Sequence, residues 1–336
     1  MGRRNKPEGP NGLLLVDKPE GLTSAAVVAR VRRVLGGVKA GHTGTLDPFA
    51  TGLLPLCLGE GTKLATYLSE TDKVYEGIIR LGVCTDTHDR TGEVTATAEV
   101  PALTADTIAA LATEFSGTIA QVPPVISAIK RGGRPMYQLA RRGEAPELEP
   151  REVTIRSLEL AVVDPERLSV RIECSKGFYV RSLARDIGDR LGCGGLLESL
   201  RRTRVGRFDI EEAVALGDLE GPGGFEMAQE RILPMLEGVA HLRRVDLTAR
   251  DAGDLRLGRQ GPLLRINPGE PGERIRLAVG NELVAVAVSE GRLWTLDRVF
   301  AAPPMNLASC PAPTYVLDPH VSQTEEEERN EANRRD

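Results

Sequence analysis

The sequence lacks the features that mark membrane, secreted and metal-binding proteins. No stretch approaches the roughly 20 apolar residues that a membrane helix requires. The basic N-terminus, MGRRNKPEGPNG, has no apolar run of the kind found in a secretory signal. The five cysteines are widely spaced without a CxxC pair, and the four histidines occur singly, which argues against a disulfide framework and a zinc site. We therefore expect a cytoplasmic protein that binds neither a membrane nor a metal.

Net charge is low, but it is unevenly distributed along the chain. The formal net charge is −5 over 336 residues. Residues 1–207 hold 29 Lys and Arg against 25 Asp and Glu, whereas residues 208–336 hold 14 against 23. The first part of the chain is therefore free to present a basic surface, and phosphate contacts depend on such a local field. Composition permits an RNA partner without establishing one.

The hydrophobic patterns predict an α+β fold with a mixed, mainly antiparallel sheet flanked by helices. They predict these elements: strands over 13–16, 74–83, 153–160 and 168–174, and helices over 23–35, 104–115 and 183–191. The last two strands should pair through a turn at Asp164-Pro165. Because strands and helices follow one another without a regular βαβ alternation, a purely parallel sheet is disfavoured.

Composition also divides the chain into segments. We expect a disordered tail over 1–11, a catalytic domain over 12–218 with an insert at 121–150, a connecting segment over 219–244, a β-rich module over 245–300 and a disordered acidic tail over 301–336. The insert is rich in Pro, Gly and Arg and lacks periodicity, which is typical of a surface loop. Within the module, LLRI, IRLAV, LVAVAV and RLWTLDRVF read as short strands.

The segment GHTGTLDPFATG at 41–52 is the strongest candidate for a functional loop. Three glycines and one proline within twelve residues require special backbone geometry. A carboxylate held in such a loop, here Asp47, is well placed to meet a ligand. The alternative is that Asp47 only starts a turn by bonding to its own backbone, and the spacing alone leaves both interpretations open.

Two further segments offer candidate residues. CSKGFYVR at 174–181 places Arg181 in the first turns of a helix, where the helix dipole gives a cation no benefit. Such an arginine either pairs with an acid or is solvated at the surface, and Tyr179 beside it is equally consistent with a core aromatic. Tyr75 lies on the apolar face of its strand, where it is either a core residue or a stacking platform for an extruded base.

Together these segments resemble the TruB family of tRNA pseudouridine synthases over residues 12–215. The matching stretches, in order, are LLLVDKPEG, GHTGTLDPFATGLLPLCLGEGTK, DKVYEGIIRLG, QVPPVISAIKRGGRPMYQLARRG, CSKGFYVRSLARDIG and LESLRRTRVG. The resemblance implies a pseudouridine-synthase fold and the isomerisation of one uridine in the T-loop of tRNA, at position 55 in tRNA numbering. It also implies that no cofactor, metal or guide RNA takes part.

The resemblance implies roles for individual residues. Asp47 is then the nucleophile, Arg181 its ionic partner, and Tyr75 the residue that stacks on the flipped uracil and a candidate base. His42, Tyr179 and Leu200 then line the substrate pocket. The target base lies inside a folded RNA loop, so it must be flipped out to react. The sequence does not show whether Asp47 attacks C6 or C1′ of the nucleotide, or takes part in a glycal route.

The remaining motifs are implied to support the loop and to hold RNA. Lys18 and Pro19 match a motif that supports the active-site loop, and the insert at 121–150 matches a loop that clamps the T-arm. RNA contacts are expected from these basic residues: Lys18, Lys63, Lys130, Arg141, Arg142, Arg201 and Arg202. The β-rich module resembles a PUA-type RNA-binding domain. We expect a monomer whose partner is the T-arm of tRNA, with no obligatory protein partner.

Three alternatives differ from this interpretation in testable ways. A dyskerin-like synthase shares the motifs but depends on a guide RNA and protein partners, whereas the insert at 121–150 favours a stand-alone enzyme that grips its substrate in cis. An RNA-binding folding protein without catalysis is disfavoured by the intact set of Asp47, Tyr75 and Arg181. A metal-dependent nuclease needs further carboxylates near Asp47, and the sequence around Asp47 supplies none.

Overall fold

The computed structural model describes residues 9–124 and 149–302, together with the backbone of 130–131 and 134–135. Its strands are β1 Gly12–Lys18, β2 Ala40–His42, β3 Thr51–Leu58, β4 Lys73–Leu81, β5 Val83–Thr85, β6 Val94–Thr97, β7 Gly117–Gln121, β8 Lys130–Arg131, β9 Arg134–Pro135, β10 Arg151–Asp164, β11 Arg167–Cys174, β12 Gly195–Val205, β13 Phe208–Asp209, β14 Val214–Ala215, β15 Arg243–Asp246, β16 Arg274–Val279, β17 Glu282–Ser289 and β18 Trp294–Val299. Its α-helices are α1 Ser24–Val34, α2 Ala65–Ser69, α3 Ala105–Glu114, α4 Val180–Leu191, α5 Leu216–Glu220, α6 Gly224–Glu230 and α7 Ala249–Arg256.

A ten-stranded sheet forms the centre of the fold. Its strands run in the order β14-β1-β3-β12-β4-β11-β10-β7, and β2 and β13 pair at its side with β3 and β12. The pairs β14-β1 and β12-β3 are parallel, whereas the other pairs are antiparallel. A separate four-stranded sheet of β15 to β18 forms the small C-terminal domain. The predicted α+β class is confirmed.

The first predicted helix shows why the sequence signals were sufficient over much of the chain. α1 begins after Thr23, whose side chain accepts a hydrogen bond from the Ala26 N–H, as expected of an N-cap. Val27 and Val31 are buried on its inner face. The predicted β10–β11 hairpin also forms, with Asp164 paired to Arg167 across the expected turn.

One predicted strand of the C-terminal module is wrong. LLRI at 263–266 falls largely within the 3₁₀-helix Gly261–Arg265, in which Pro262 occupies the first turn. Pro262 and Leu263 are buried while Leu264 and Arg265 are exposed, so burial does not alternate from residue to residue as it would across a sheet. The helix α7 was not predicted, although Thr248 caps it by accepting a hydrogen bond from the Asp251 N–H.

A second hydrophobic cluster joins the C-terminal domain to the central sheet. It contains these buried residues: Leu13, Leu15, Leu53, Cys57, Leu64, Tyr67, Leu68, Val205, Phe208, Leu236, Val239, Ala278, Leu283, Val286 and Phe300. We call this cluster and the polar contacts at its edge the junction. Tyr67 donates from its hydroxyl to Asp297 Oδ2 at 2.8 Å, and Lys63 donates to the Val299 carbonyl at 3.0 Å. The predicted module therefore shares a core with the larger domain.

Several expectations lie outside the described residues. They include the disorder expected of 1–8 and 303–336 and most of the insert at 121–150. Within the described part of the N-terminal segment, the Asn11 side chain accepts a hydrogen bond from the Glu60 N–H at 2.7 Å. No helix in the described part of the chain is long and apolar enough to cross a membrane.

Candidate active site

The loop between β2 and β3 carries Asp47 and is held by two buried side chains. Lys18, at the end of β1, is 0% exposed and donates from Nζ to the Ala50 carbonyl at 2.6 Å. Ser24, at the start of α1, donates from Oγ to the Leu46 carbonyl at 3.1 Å and accepts from the Leu46 N–H at 2.9 Å. The loop is therefore fixed on both sides of Asp47 by groups that its own turn does not supply.

Asp47 forms a two-point contact with Arg181 in the first turn of α4. Asp47 Oδ2 lies 2.9 Å from Arg181 Nε, and Oδ1 accepts a hydrogen bond from Nη2 at 3.3 Å. On its other side, Arg181 Nη1 lies 3.4 Å from Asp89 Oδ2. The side chains of Arg181 and Asp89 are each 5% exposed, whereas that of Asp47 is 35% exposed. One buried guanidinium thus connects two carboxylates, of which only Asp47 is open to a ligand.

Asp89 is a site residue that the sequence did not reveal. Its Oδ1 accepts hydrogen bonds from Thr87 Oγ1 at 2.9 Å, Thr91 N at 2.9 Å and Thr91 Oγ1 at 2.6 Å. The neighbouring His88 has a φ of 57°, a left-handed conformation that is uncommon outside glycine. The stretch TDTHDRTG at 85–92 carries the hydroxyl and carboxyl groups of such a turn. The sequence pattern of this stretch does not predict that Asp89 contacts Arg181.

The position of Asp89 corrects one premise of the nuclease alternative. A second carboxylate does lie near Asp47, brought there by the loop between β5 and β6. It is bridged to Asp47 by the cation of Arg181. Among the described residues, no group of three His, Cys, Asp or Glu side chains is arranged to hold a metal ion. The arrangement is that of an ion-paired carboxylate.

Burial and charge act on Asp47 in opposite directions. Burial raises the pKa of Asp47, Arg181 lowers it, Asp89 raises it and Lys18 lowers it, with a net increase above the usual value. Because 35% of the side chain is open to the cavity, water screens this effect until a substrate covers the opening. Asp47 is therefore a weakly solvated carboxyl group whose ionised form is opposed by burial and Asp89 and favoured by Arg181 and Lys18.

Asp47 and Arg181 open into a cavity of about 240 Å³. Tyr75 on β4, Leu200 on β12 and Tyr179 before α4 also line it, so five of the six predicted pocket and catalytic residues meet there. The other lining residues are Gly44, Thr45, Leu46, Ser69, Lys73, Ser175, Gly177, Phe178, Val180 and Arg202. Burial raises the pKa of the Tyr75 hydroxyl, so this group is protonated at neutral pH.

His42 is the predicted pocket residue that the structure places elsewhere. It ends β2 and is not among the residues that line the cavity. Its Nδ1 is buried and makes no hydrogen bond to any described group. Burial, assisted by the charge of Arg202, lowers the pKa of His42, so the imidazole is neutral at neutral pH.

Two of the residues expected to contact RNA are buried, and for these the prediction is wrong. Lys18 is 0% exposed and holds the loop, which agrees with the supporting role implied by the KP motif. Arg202 is 1% exposed and donates to the carbonyls of Leu53 and Gly44. Lysine and arginine side chains are exposed far more often than buried, so the sequence predicted a solvent-exposed position for both residues.

The remaining basic residues have different positions. Lys63 lies in the junction, where it pairs with Glu60 at 2.5 Å, and because its side chain is 34% exposed, its contact with RNA stays a prediction. Arg201 is 41% exposed and pairs with Asp17 at 2.7 Å, which leaves it accessible to RNA. The side chains of the other three candidates lie outside the described residues: Lys130, Arg141 and Arg142.

Comparison with known proteins identifies relatives over most of the chain. The model described as TruB family pseudouridylate synthase (N terminal domain) matches residues 32–180, and that described as tRNA pseudouridylate synthase B C-terminal domain matches residues 181–237. The chain is 51% identical to tRNA pseudouridine synthase B of Aromatoleum aromaticum, over 74% of this chain and 80% of the relative. It is 42% identical to the protein of that name from Geobacter sulfurreducens, over 85% of this chain and 96% of the relative.

Two solved structures share the fold. A chain in the crystal structure of a Cbf5-Nop10-Gar1 complex matches with a TM-score of 0.67 and 25% identity, over 89% of this chain and 91% of that chain. A chain in the structure of an H/ACA RNP bound to a substrate RNA containing 2′-deoxyuridine matches with a TM-score of 0.63 and 26% identity, over 87% of this chain and 85% of that chain.

Proposed function

Because this chain belongs to the TruB family of pseudouridylate synthases, we propose that it converts a T-loop uridine of tRNA, at position 55 in tRNA numbering, into pseudouridine, with Asp47 as the nucleophile. Isomerisation of uridine in tRNA follows from the family. The choice of Asp47 is supported above all by one observation, its two-point contact with Arg181 at the mouth of the cavity. Among the cavity-lining residues, Asp47 is the only carboxylate.

The reaction requires the side chains that meet in this cavity. The C1′–N1 bond of uridine must break, C1′ must bond to C5, and the C5 proton must leave while N1 gains one. A carboxylate that adds covalently to the nucleotide and later leaves divides this into easier steps. The cation of Arg181 favours the ionised form of Asp47 for the attack. The ring of Tyr75 offers a stacking surface for the flipped base, and Leu200 on the neighbouring strand offers an apolar one. Tyr75 is also the candidate base for the C5 proton, and because burial keeps its hydroxyl protonated, it has to pass on its own proton before it takes up that of C5.

The enzyme acts on tRNA as a monomer in the cytoplasm, without a guide RNA. Action on tRNA is supported by relatives named tRNA pseudouridine synthase B, to two of which the chain is 42% and 51% identical. The alternative of a synthase that requires protein partners draws on the solved Cbf5-Nop10-Gar1 complex, one chain of which is 25% identical to this chain. The purified chain alone should therefore modify a T-arm hairpin. Activity that appears only with an added guide RNA would favour the alternative.

The C-terminal domain of β15 to β18 acts as a PUA-like RNA-binding domain. A cavity of about 630 Å³ lies beside it, and its lining includes Arg156, Arg207 and Arg274. Each of these arginines is paired with an acid whose place a phosphate could take. If so, Arg207→Ala should reduce the slope of log affinity against log salt by about one. An unchanged slope would remove Arg207 from the RNA surface.

The decisive experiment is incubation of the purified chain with an unmodified tRNA transcript, followed by mapping of pseudouridine. We expect one pseudouridine at position 55 of the tRNA. A transcript that carries cytidine at this position is the matched control and should yield none. Modification at another position, or none in the wild-type transcript, would contradict the proposed substrate.

A further inference from the structure

Arg202 lies at the centre of the site, between the catalytic loop and Tyr75. On β12 it is the register partner of Gly52 on β3 and of Tyr75 on β4. Directly opposed residues of an antiparallel pair project to the same face, so the side chains of Arg202 and Tyr75 are neighbours. Arg202 Nε donates to the Leu53 carbonyl at 2.7 Å, and Nη2 donates to the Gly44 carbonyl at 3.2 Å.

The environment of Arg202 is unusual for a buried cation. Its side chain is 1% exposed, and among the described residues no carboxylate forms an ion pair with it. Arg204, two residues further along the same strand, is instead partly exposed and pairs with Glu173 at 2.6 Å. A buried charge without a counter-charge is costly for folding. Arg204 therefore shows the ordinary arrangement on β12, and Arg202 departs from it.

The effects of this charge reach several groups around the cavity. The charge of Arg202 acts on the Tyr75 hydroxyl, where it opposes the increase in pKa that burial causes. Burial, followed by the charge of Arg202, lowers the pKa of Lys73 to about 8. Gly52 is a glycine because its φ is 102° and a Cβ would collide with the backbone of Arg202.

We propose that Arg202 is a positioning residue for the isomerisation, which holds the loop that carries Asp47 by its Gly44 carbonyl beside Tyr75, the cross-strand neighbour of Arg202. Its planar fork of donors bonds to the Gly44 carbonyl in the loop that carries Asp47 and to the Leu53 carbonyl on β3 at the same time. The distance between nucleophile and stacking ring is thereby set before the base enters. This role rests on the proposed function, because it matters only if a base is held between Asp47 and Tyr75.

The test compares Arg202→Lys with Arg204→Lys, a change of the same chemistry on the same strand. Lysine keeps the charge but loses the fork. We expect Arg202→Lys to lower the single-turnover rate at saturating enzyme by about 10- to 100-fold while tRNA affinity changes by less than about threefold. Arg204→Lys should leave both unchanged within about twofold. Wild-type protein that makes no pseudouridine would instead overturn the proposed function itself.

A second readout reports the charge of Arg202 beside Tyr75 and needs no catalysis. The ¹³Cζ resonance of Tyr75, assigned by its absence in Tyr75→Phe, should shift in Arg202→Lys and in Arg202→Gln but not in Arg204→Lys. An unmoved resonance, an unchanged rate, or a loss of affinity that equals the loss of rate would overturn the proposal. If neither Arg202 variant folds, as judged by thermal unfolding, Arg202 is a structural residue only and the proposal is wrong.

Discussion

The catalytic cavity and the junction are held together by different forces. In the cavity, Arg181 and Asp89 are each 5% exposed, and their charges are taken almost entirely out of water. At the junction, the ion pair between Arg274 and Glu70 has side chains 36% and 37% exposed, and such pairs contribute little to stability. The stability of the junction comes instead from its apolar cluster, which includes the fully buried Phe300.

This difference indicates what each region can tolerate. Buried charges cost folding free energy, and their arrangement is retained for chemistry. Buried apolar contacts stabilise the fold and take no part in a reaction. Substitutions in the cavity should therefore change the rate with little effect on stability, whereas substitutions in the junction should change stability with little effect on the rate.

The largest effect is expected for Asp47→Asn, which should abolish isomerisation. A neutral amide of the same size keeps the loop geometry but cannot form the covalent intermediate. The rate should fall by more than about a thousandfold, ~4 kcal/mol in the barrier. Pseudouridine mapping, tRNA affinity and thermal unfolding should be measured together, and Asp164→Asn at an exposed turn is the matched control.

The stability of Asp47→Asn gives a second check on the comparison. Since the folded protein raises the pKa of Asp47, the ionised carboxylate lowers stability once the pH exceeds its unfolded pKa. Asparagine removes this penalty, and Arg181 keeps Asp89 as a partner. We expect no loss of stability above about 1 kcal/mol at neutral pH. Deamidation of the introduced asparagine back to aspartate must first be excluded. If the variant then still makes pseudouridine, Asp47 is only a turn residue.

The next largest effect is expected in the junction, for Leu283→Ala. Leu283 is 1% exposed within the shared cluster, and removal of such a side chain leaves a cavity. The free energy of unfolding should fall by about 2–5 kcal/mol, as measured with urea, while the rate at 25 °C stays unchanged. Leu293→Ala, at a leucine 55% exposed in the same domain, should cost less than about 0.5 kcal/mol. A slower reaction in a fully folded Leu283→Ala protein would contradict the expectation that substitutions in the junction leave the rate unchanged.

Asp89→Asn should have a smaller effect, which is visible in both rate and pH dependence. Without its second carboxylate, Arg181 is free to move toward Asp47, and the rate should fall by about 10- to 100-fold. The charge of Asp89 is one cause of the raised pKa of Asp47. Its removal should therefore shift the acidic limb of the pH–rate profile to lower pH. A limb that moves to higher pH, or stays in place, would contradict the shared-arginine geometry.

The residues of the candidate site were predictable where local geometry required them. The glycines and the proline around Asp47 indicate a shaped loop, and the resemblance of the motifs supplied the pairing with Arg181 and the position of Tyr75. Asp89 was missed because its contact with Arg181 joins segments that are far apart in sequence, and only the folded sheet brings them together. The spacing of residues along the chain does not predict such long-range contacts.

The sequence was least informative about which basic residues are buried. Lys18 and Arg202 read as candidates for phosphate contact, yet both are enclosed by backbone carbonyls of the catalytic loop and its strands. Their burial depends on three strands closing around them, which no local pattern encodes. The same limitation explains LLRI at 263–266, where a short apolar run fits a strand and a 3₁₀ turn equally well.

The smallest effect, and the finest test of the comparison, is Tyr67→Phe in the junction. The ring of Tyr67 is 3% exposed in the shared cluster, and phenylalanine preserves its packing. Only the hydrogen bond from the hydroxyl to Asp297 Oδ2 is lost, and Asp297 keeps Arg274 Nε at 3.6 Å. The free energy of unfolding should fall by about 1 kcal/mol.

Burial and Asp297 raise the pKa of the Tyr67 hydroxyl, which stays protonated, so this loss of stability should be the same at pH 6 and pH 9. The helix that carries Tyr67 ends at Ser69, a cavity-lining residue. A reduced rate at unchanged stability would therefore show that the junction acts on the cavity through this helix.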